Sequence, residues 1–166
     1  MAIKRIGYGQ VEPNHLSAQR NGQVYAQLPC ASTIKVLENG QFVKYDYAKN
    51  EINYTGEGEW MLVYNEVKLY EARQTRKDFA LKAENYDNGI MVPRVFKTMI
   101  GDIFTTNCIA GWDTASAVDL AVEDELVIRN GYLTKDTAAD GEMVWQVVKV
   151  YTMPDGQEGV KVMRIK

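Results

Sequence analysis

The chain has 166 residues, 46% of them hydrophobic and 25% charged, with a net charge of −3. That balance belongs to a folded protein of one domain or two small ones, long enough to bury a core without disulfides or a metal, and it excludes a disordered chain. It argues against a protein that binds nucleic acid by neutralising phosphates, and no apolar run reaches the length of a membrane span.

Residues 1–30 look unlike the rest. Ile6-Gly7-Tyr8-Gly9-Gln10-Val11-Glu12-Pro13-Asn14-His15 mixes glycine, proline and polar residues with isolated apolar ones. No helical or strand period lasts beyond a few residues. We read this segment as an extended N-terminal arm. Ile6, Tyr8, Val11, Leu16 and Tyr25 are too apolar for a free tail, so they are the expected contact residues, lying on the chain's own domain or on a partner. The first seven residues lack the apolar stretch of a secretory signal, and the chain is expected to be made and folded in the cytoplasm.

The β pattern begins near Ser32. Val36-Leu37-Glu38-Asn39-Gly40-Gln41-Phe42-Val43-Lys44 is echoed by Val127-Ile128-Arg129-Asn130-Gly131-Tyr132-Leu133-Thr134-Lys135. Asn-Gly between two apolar runs predicts a type I′ hairpin at both places, because both residues accept positive φ. Val43, Tyr45 and Tyr47 alternate with Lys44 and Asp46, as in a strand with one buried face. Ile52 to Tyr54 predicts a short strand, and Gly56-Glu57-Gly58 a turn. Trp60-Met61-Leu62-Val63-Tyr64 is apolar on both faces, so it predicts a central strand covered on both sides.

Tyr70 to Asp78 is strongly charged and carries no apolar stripe, which suits a polar loop or a single helical turn. Order resumes at Phe79 to Ala83. Asp87-Asn88-Gly89 is a tight turn before Ile90-Met91-Val92. Pro93 removes a ladder donor, so the strand there is at an edge or interrupted. Val95 to Met99 and Ile103 to Thr106 follow. Trp112 to Ser116 is a polar connection, and Val118 to Val122 a strand or half a turn. Met143 to Tyr151 predicts a long strand with Val144, Val148 and Val150 on one face and Trp145, Val147 and Tyr151 on the other. Pro154-Asp155-Gly156-Gln157 is a turn, and Val160 to Ile165 ties the end of the chain into a sheet. The expected fold is mainly β, a hairpin-built barrel or sandwich with the arm attached. Residues 31–166 form the β domain, or two related β units over 31–110 and 111–166, since Gly58 to Val63 resembles Gly141 to Gln146.

The residues of acid–base and metal chemistry are sparse. His15 is the single histidine, too little for a triad or a histidine-rich metal site. Cys30 and Cys108 are far apart and outside any Cys-x-x-Cys pair; they read as buried thiols, and a disulfide depends on the fold bringing them together. Asp46, Glu57, Glu59, Asp102, Asp113 and Glu123-Asp124-Glu125 show no spacing that marks a glycosidase-like pair. No phosphate loop or EF-hand ladder occurs. No catalytic, cofactor or metal site is expected. The ten tyrosines and three tryptophans suit strands and also suit a protein or glycan contact surface, with Tyr45, Tyr47, Tyr54, Tyr64 and Tyr70 grouped in the first half.

Three segments carry a family resemblance. They are Arg94 to Asn107, Leu126 to Lys135 and Val147 to Gln157, with Gly40 to Lys44 and the arm around Glu12 to Leu16 fitting the same picture. Together the chain resembles the head decoration (cement or auxiliary capsid) proteins of tailed bacteriophages. The resemblance implies a virion structural protein without catalytic residues, assembled in the host cytoplasm. Its partner would be the major capsid protein, bridged on the outer surface of the shell, with a second copy of the chain as a further partner and neither nucleic acid nor membrane. Three other readings compete. A phage tail or neck component shares the assembly logic, a carbohydrate-binding β module would use the aromatics as a stacking platform, and a carboxylate-pair hydrolase ranks last.

Overall fold

The computed structural model describes residues 2–3, 9, 11, 24–65, 80–110, 118–135, 141–154 and 156–166. The expectations for Tyr70 to Asp78 and Trp112 to Ser116 lie outside these residues. The architecture is mainly β, and the described residues contain no α-helix. One five-stranded antiparallel sheet runs in the order β2 (Val24–Gln27), β8 (Arg94–Phe96), β6 (Met61–Val63), β4 (Phe42–Asp46) and β5 (Glu51–Asn53). A second runs β12 (Tyr132–Thr134), β11 (Glu125–Arg129), β13 (Val144–Thr152), β14 (Glu158–Arg164) and β9 (Ile103–Thr106), and the fold includes a curled half-barrel sheet. Two small pairs complete the set: β1 (Ala2–Ile3) with β10 (Val118–Asp119), and β3 (Val36–Leu37) with β7 (Leu81–Lys82). A 3-10 turn, Ala83–Asn85, follows β7.

Period-two alternation sorts side chains into two cores. Phe42, Leu62 and Phe96 leave one face of the first sheet and meet Phe104, Leu126, Ile128, Trp145, Val147, Val160 and Val162 of the second. The Phe104 ring meets Trp145 edge-on at 4.9 Å, and Phe42 lies 5.7 Å from Trp145. Val43, Met61, Val63 and Val95 leave the opposite face and join Cys30, Ile34, Leu37, Ala83 and Met91 in a second core. The strand predicted to be covered on both sides is therefore β6, in the middle of the first sheet. Each fully buried side chain of this size contributes about 1.5–3 kcal/mol. Tyr54 packs against both cores. Pro93 ends an extended segment, and β8 begins at the next residue as a central strand, so the proline interrupts rather than marks an edge.

The two Asn-Gly phrases adopt different structures. Asn130 (φ 49°) and Gly131 (φ 83°) are both left-handed, and Arg129 pairs with Tyr132 across the turn: this is the predicted hairpin. At the first phrase only Gly40 is left-handed, at φ 93°. The Gln41 N–H donates to the Glu38 carbonyl at 3.3 Å, which makes a type II turn with Gly40 at its third position. The strands on either side do not pair. β3 pairs with β7, and β4 with β5 and β6. The expected first hairpin is thus a corner between two sheets. The Asn39 side chain explains the corner: it accepts the Asn65 N–H at 2.8 Å and donates to the Asn65 carbonyl at 3.0 Å, anchoring the turn to a distant segment.

β13 also departs from simple alternation. Val147 pairs with Val162 and Lys149 with Lys161, which leaves Val148 as the extra residue of a β-bulge. Trp145 and Val147 face the core before the bulge, and Val150 packs against it afterwards. The expected shared face of Val144, Val148 and Val150 is broken there, because the bulge reverses the parity of the strand.

Candidate functional site

Two regions gather the polar and exposed groups of interest. The first is a buried polar seam around the 38–41 corner. Glu38, Asn39, Gln41, Thr106, Asn107 and Cys108 are all buried. The Glu38 N–H donates to Gln41 Oε1 at 2.8 Å, and the Cys108 N–H to Thr106 Oγ1 at 2.9 Å. Glu38 Oε2 accepts the Gly9 N–H at 3.1 Å and lies 3.7 Å from Cys108 Sγ. Burial pushes the nearby Tyr54 hydroxyl up to about 12, with the thiols of Cys30 and Cys108 adding to the rise and a Gln41 hydrogen bond opposing it. The seam sits close-packed beside the sheets. Gly40 admits no side chain, since a Cβ there would lie 2.6 Å from Thr106 Oγ1.

Neither cysteine has the setting of a nucleophile, which needs access and a lowered pKa. Cys108 is fully buried. Burial pushes the Cys30 thiol up to about 12, with the Glu51 charge adding to it. Neither cysteine is in a disulfide, and both are buried. No group of three His, Cys, Asp or Glu side chains could hold a metal ion among the described residues.

The second region is the turn between β8 and β9. Met99 and Ile100 are 46% and 71% exposed there, although both are large apolar side chains. Gly101 at φ 93° closes a type II turn, with the Asp102 N–H donating to the Met99 carbonyl at 3.0 Å. Asp102 Oδ2 accepts the Met99 N–H at 2.8 Å. The base of the turn is tied to the end of β14. The Gly101 N–H donates to the Arg164 carbonyl at 2.8 Å, and the Arg164 N–H to the Asp102 carbonyl at 2.9 Å. The Arg164 guanidinium donates to the Thr98 carbonyl and hydroxyl and pairs with Glu59 at 2.9 Å. The tip is therefore fixed in place while its apolar side chains face water.

A stacking platform would need open aromatic faces in a row. Trp60 and Trp145 are buried, and Lys44 Nζ covers the Trp60 ring at 5.0 Å while pairing with Glu142 at 2.5 Å. Lys44, Trp60 and Glu142 line a cleft of about 160 Å³ with Ile128, Arg129 and Met143. Tyr47 is exposed but stands edge-on to Tyr45, with centroids 4.3 Å apart.

Of the five arm residues singled out from the sequence, Ile6, Tyr8 and Leu16 lie outside the described residues. Val11 is buried in the chain's own aromatic core and bridges Thr106. Tyr25 lies in β2, paired with β8. At its described points, then, the segment rests on its own fold. The Met99–Ile100 tip was missed because Val95 to Met99 reads as a strand, whereas β8 ends at Phe96; the adjoining Gly101-Asp102 pair was the available signal for a turn. No protein-family model, no curated protein and no solved structure matches the chain.

Proposed function

We propose that the chain is a head decoration protein of a tailed bacteriophage. In this reading it binds the outer surface of the assembled shell and bridges major capsid protein subunits. The observation that carries the reading is the Met99–Ile100 tip. It lies within Arg94 to Asn107, one of the segments on which the resemblance rests. A preorganised apolar anchor loses little conformational entropy on docking, so a small contact is used efficiently. A symmetric shell repeats that contact many times. A protein that binds only the assembled lattice raises the stability of the lattice by mass action. The arm residues Ile6, Tyr8, Leu16 and Tyr25 are the further contact residues in this reading.

Co-sedimentation of the purified chain with intact tailed-phage capsids, built from the major capsid protein of the same genome, tests the proposal. Ile100→Asp is expected to lower occupancy by about tenfold or more, since one buried apolar anchor is worth roughly 1.5–3 kcal/mol. The unfolding transition of the free variant should stay unchanged, because the side chain is exposed. Equal occupancy for wild type and variant removes the tip from the interface. No binding by the wild-type chain ends the capsid reading.

A further inference from the structure

Asn-Gly occurs at Asn21-Gly22, Asn39-Gly40, Asn88-Gly89 and Asn130-Gly131. Glycine carries no side chain to shield its own nitrogen, so that nitrogen can attack the preceding asparagine amide. Asn21-Gly22 lies outside the described residues, and the fold treats the other three differently. Asn39 is buried, its Nδ2 donates to the Asn65 carbonyl and its Oδ1 accepts the Asn65 N–H. The Gly40 N–H donates to the Val63 carbonyl at 2.9 Å. A Cβ on Gly40 would lie 2.6 Å from Thr106 Oγ1 and 2.8 Å from Cys108 Cβ, so this glycine is walled in. Asn130 is exposed, but Gly131 is buried. A Cβ on Gly131 would collide with the Tyr54 ring, and the Gly131 carbonyl accepts the Phe42 N–H at 2.7 Å. Around Asn88, by contrast, residues 84–90 are all exposed, and a Cβ on Gly89 would meet nothing within 4 Å. Asn88 Oδ1 accepts the Ile90 N–H at 3.0 Å, an Asx turn that draws electron density from Cγ. The Gly89 N–H donates to the Tyr86 carbonyl at 2.8 Å. That bond must open before the nitrogen reacts, and exposed loop bonds open at low free energy.

We propose that Asn88 is a site of spontaneous deamidation, singled out from Asn39 and Asn130 by the fold. The Gly89 nitrogen loses its proton to solvent and attacks Asn88 Cγ. The Cγ–Nδ2 bond breaks, and Nδ2 leaves as ammonia after taking a proton from water. The product is a five-membered succinimide. One water then opens the ring at either carbonyl, which gives aspartate or isoaspartate at position 88. An amide and a water are exchanged for a carboxylate and an ammonium ion, and nothing is oxidised or reduced. The new charge joins Glu84 and Asp87 on the same exposed loop and lies two residues from Ile90, which is 42% exposed. Ageing of the chain thus makes this loop more acidic beside an exposed apolar side chain. The inference is independent of the capsid reading.

Ageing of the wild-type chain decides the matter. The native full-length chain is incubated in mildly alkaline buffer, and conversion at each asparagine is followed by peptide mass spectrometry. A second sample is held unfolded in guanidinium chloride at the same pH. In the native chain Asn88 should convert faster than Asn39 and Asn130 by about tenfold or more. In the unfolded chain that lead should largely disappear, because all three pairs then present the same Asn-Gly chemistry to solvent. Equal native rates at Asn88 and at either of the other two overturn the proposal. A lead that persists undiminished in the unfolded chain also overturns it, since the neighbouring sequence rather than the fold would then set the rate. Asn21 is read as a separate peptide and does not enter the comparison.

Discussion

Asp124 shows how one side chain fixes a turn and makes it sensitive to acid. Its carboxylate accepts a 2.7 Å hydrogen bond from Lys135 Nζ and a 2.8 Å bond from the Ala121 N–H. These, the Lys135 bond first, hold its carboxyl below the usual aspartate value. The folded value is thus lower than the unfolded one, near 3.9. The stabilisation is complete above the unfolded value and is lost as pH falls through the folded one. The Asp124 side chain is half-buried but its partner Lys135 is exposed, so screening keeps the effect small and salt reduces it. We expect the thermal midpoint of the wild-type chain to fall more between pH about 5 and 3 than that of Asp124→Asn. Parallel falls in the two proteins would remove Asp124 as the cause. This pairing was not legible in the sequence. Glu123-Asp124-Glu125 reads there as a solvated acidic run, and the contact with Lys135 exists only because β11 and β12 fold back on each other.

Among the elements, legibility depended on whether the deciding partner was local. The Asn130-Gly131 hairpin was readable because everything it needs lies within the phrase. The Asn39-Gly40 phrase carries the same turn chemistry, yet it makes a corner because Asn39 binds Asn65 and Leu37 pairs with Leu81. The pairing of β6 inside a sheet covered on both faces was readable because its run is apolar at every position. The bulge in β13 was not, since valine and tryptophan continue through it without a break. It makes a specific prediction. Deleting Val148 leaves Val147 opposite Val162 and Lys149 opposite Lys161, so pairing survives and the far-UV circular dichroism should be retained with a modest change in melting temperature. Deleting Lys161 instead shifts the register of β14 against both β13 and β9, and should abolish the cooperative melt. A cooperative melt in the second deletion would contradict the register described above.

The whole molecule is organised around a sheet that serves two cores. Met61 and Leu62 are neighbours in sequence, but Met61 packs in the core with Cys30 and Leu37, and Leu62 in the core with Phe104 and Trp145. Met61→Ala and Leu62→Ala should each cost about 2–5 kcal/mol. Because one strand feeds both cores, unfolding should remain a single transition in each variant. Tryptophan fluorescence, to which Trp60, Trp112 and Trp145 all contribute, and far-UV circular dichroism should give one denaturant midpoint. Two midpoints in Met61→Ala would show that the cores unfold separately. The mainly β architecture was legible from turn residues and alternation. The layering was not, because it depends on which strands meet across long separations.

The tie between Arg164 and the turn of Met99 to Asp102 has a practical consequence for handling the protein. Arg164 holds the turn through its backbone and its guanidinium together, so a label attached at that position would unseat Ile100 along with the end of β14. Loss of docking in such a labelled sample would report on the damaged seat of the tip rather than on the absence of a partner.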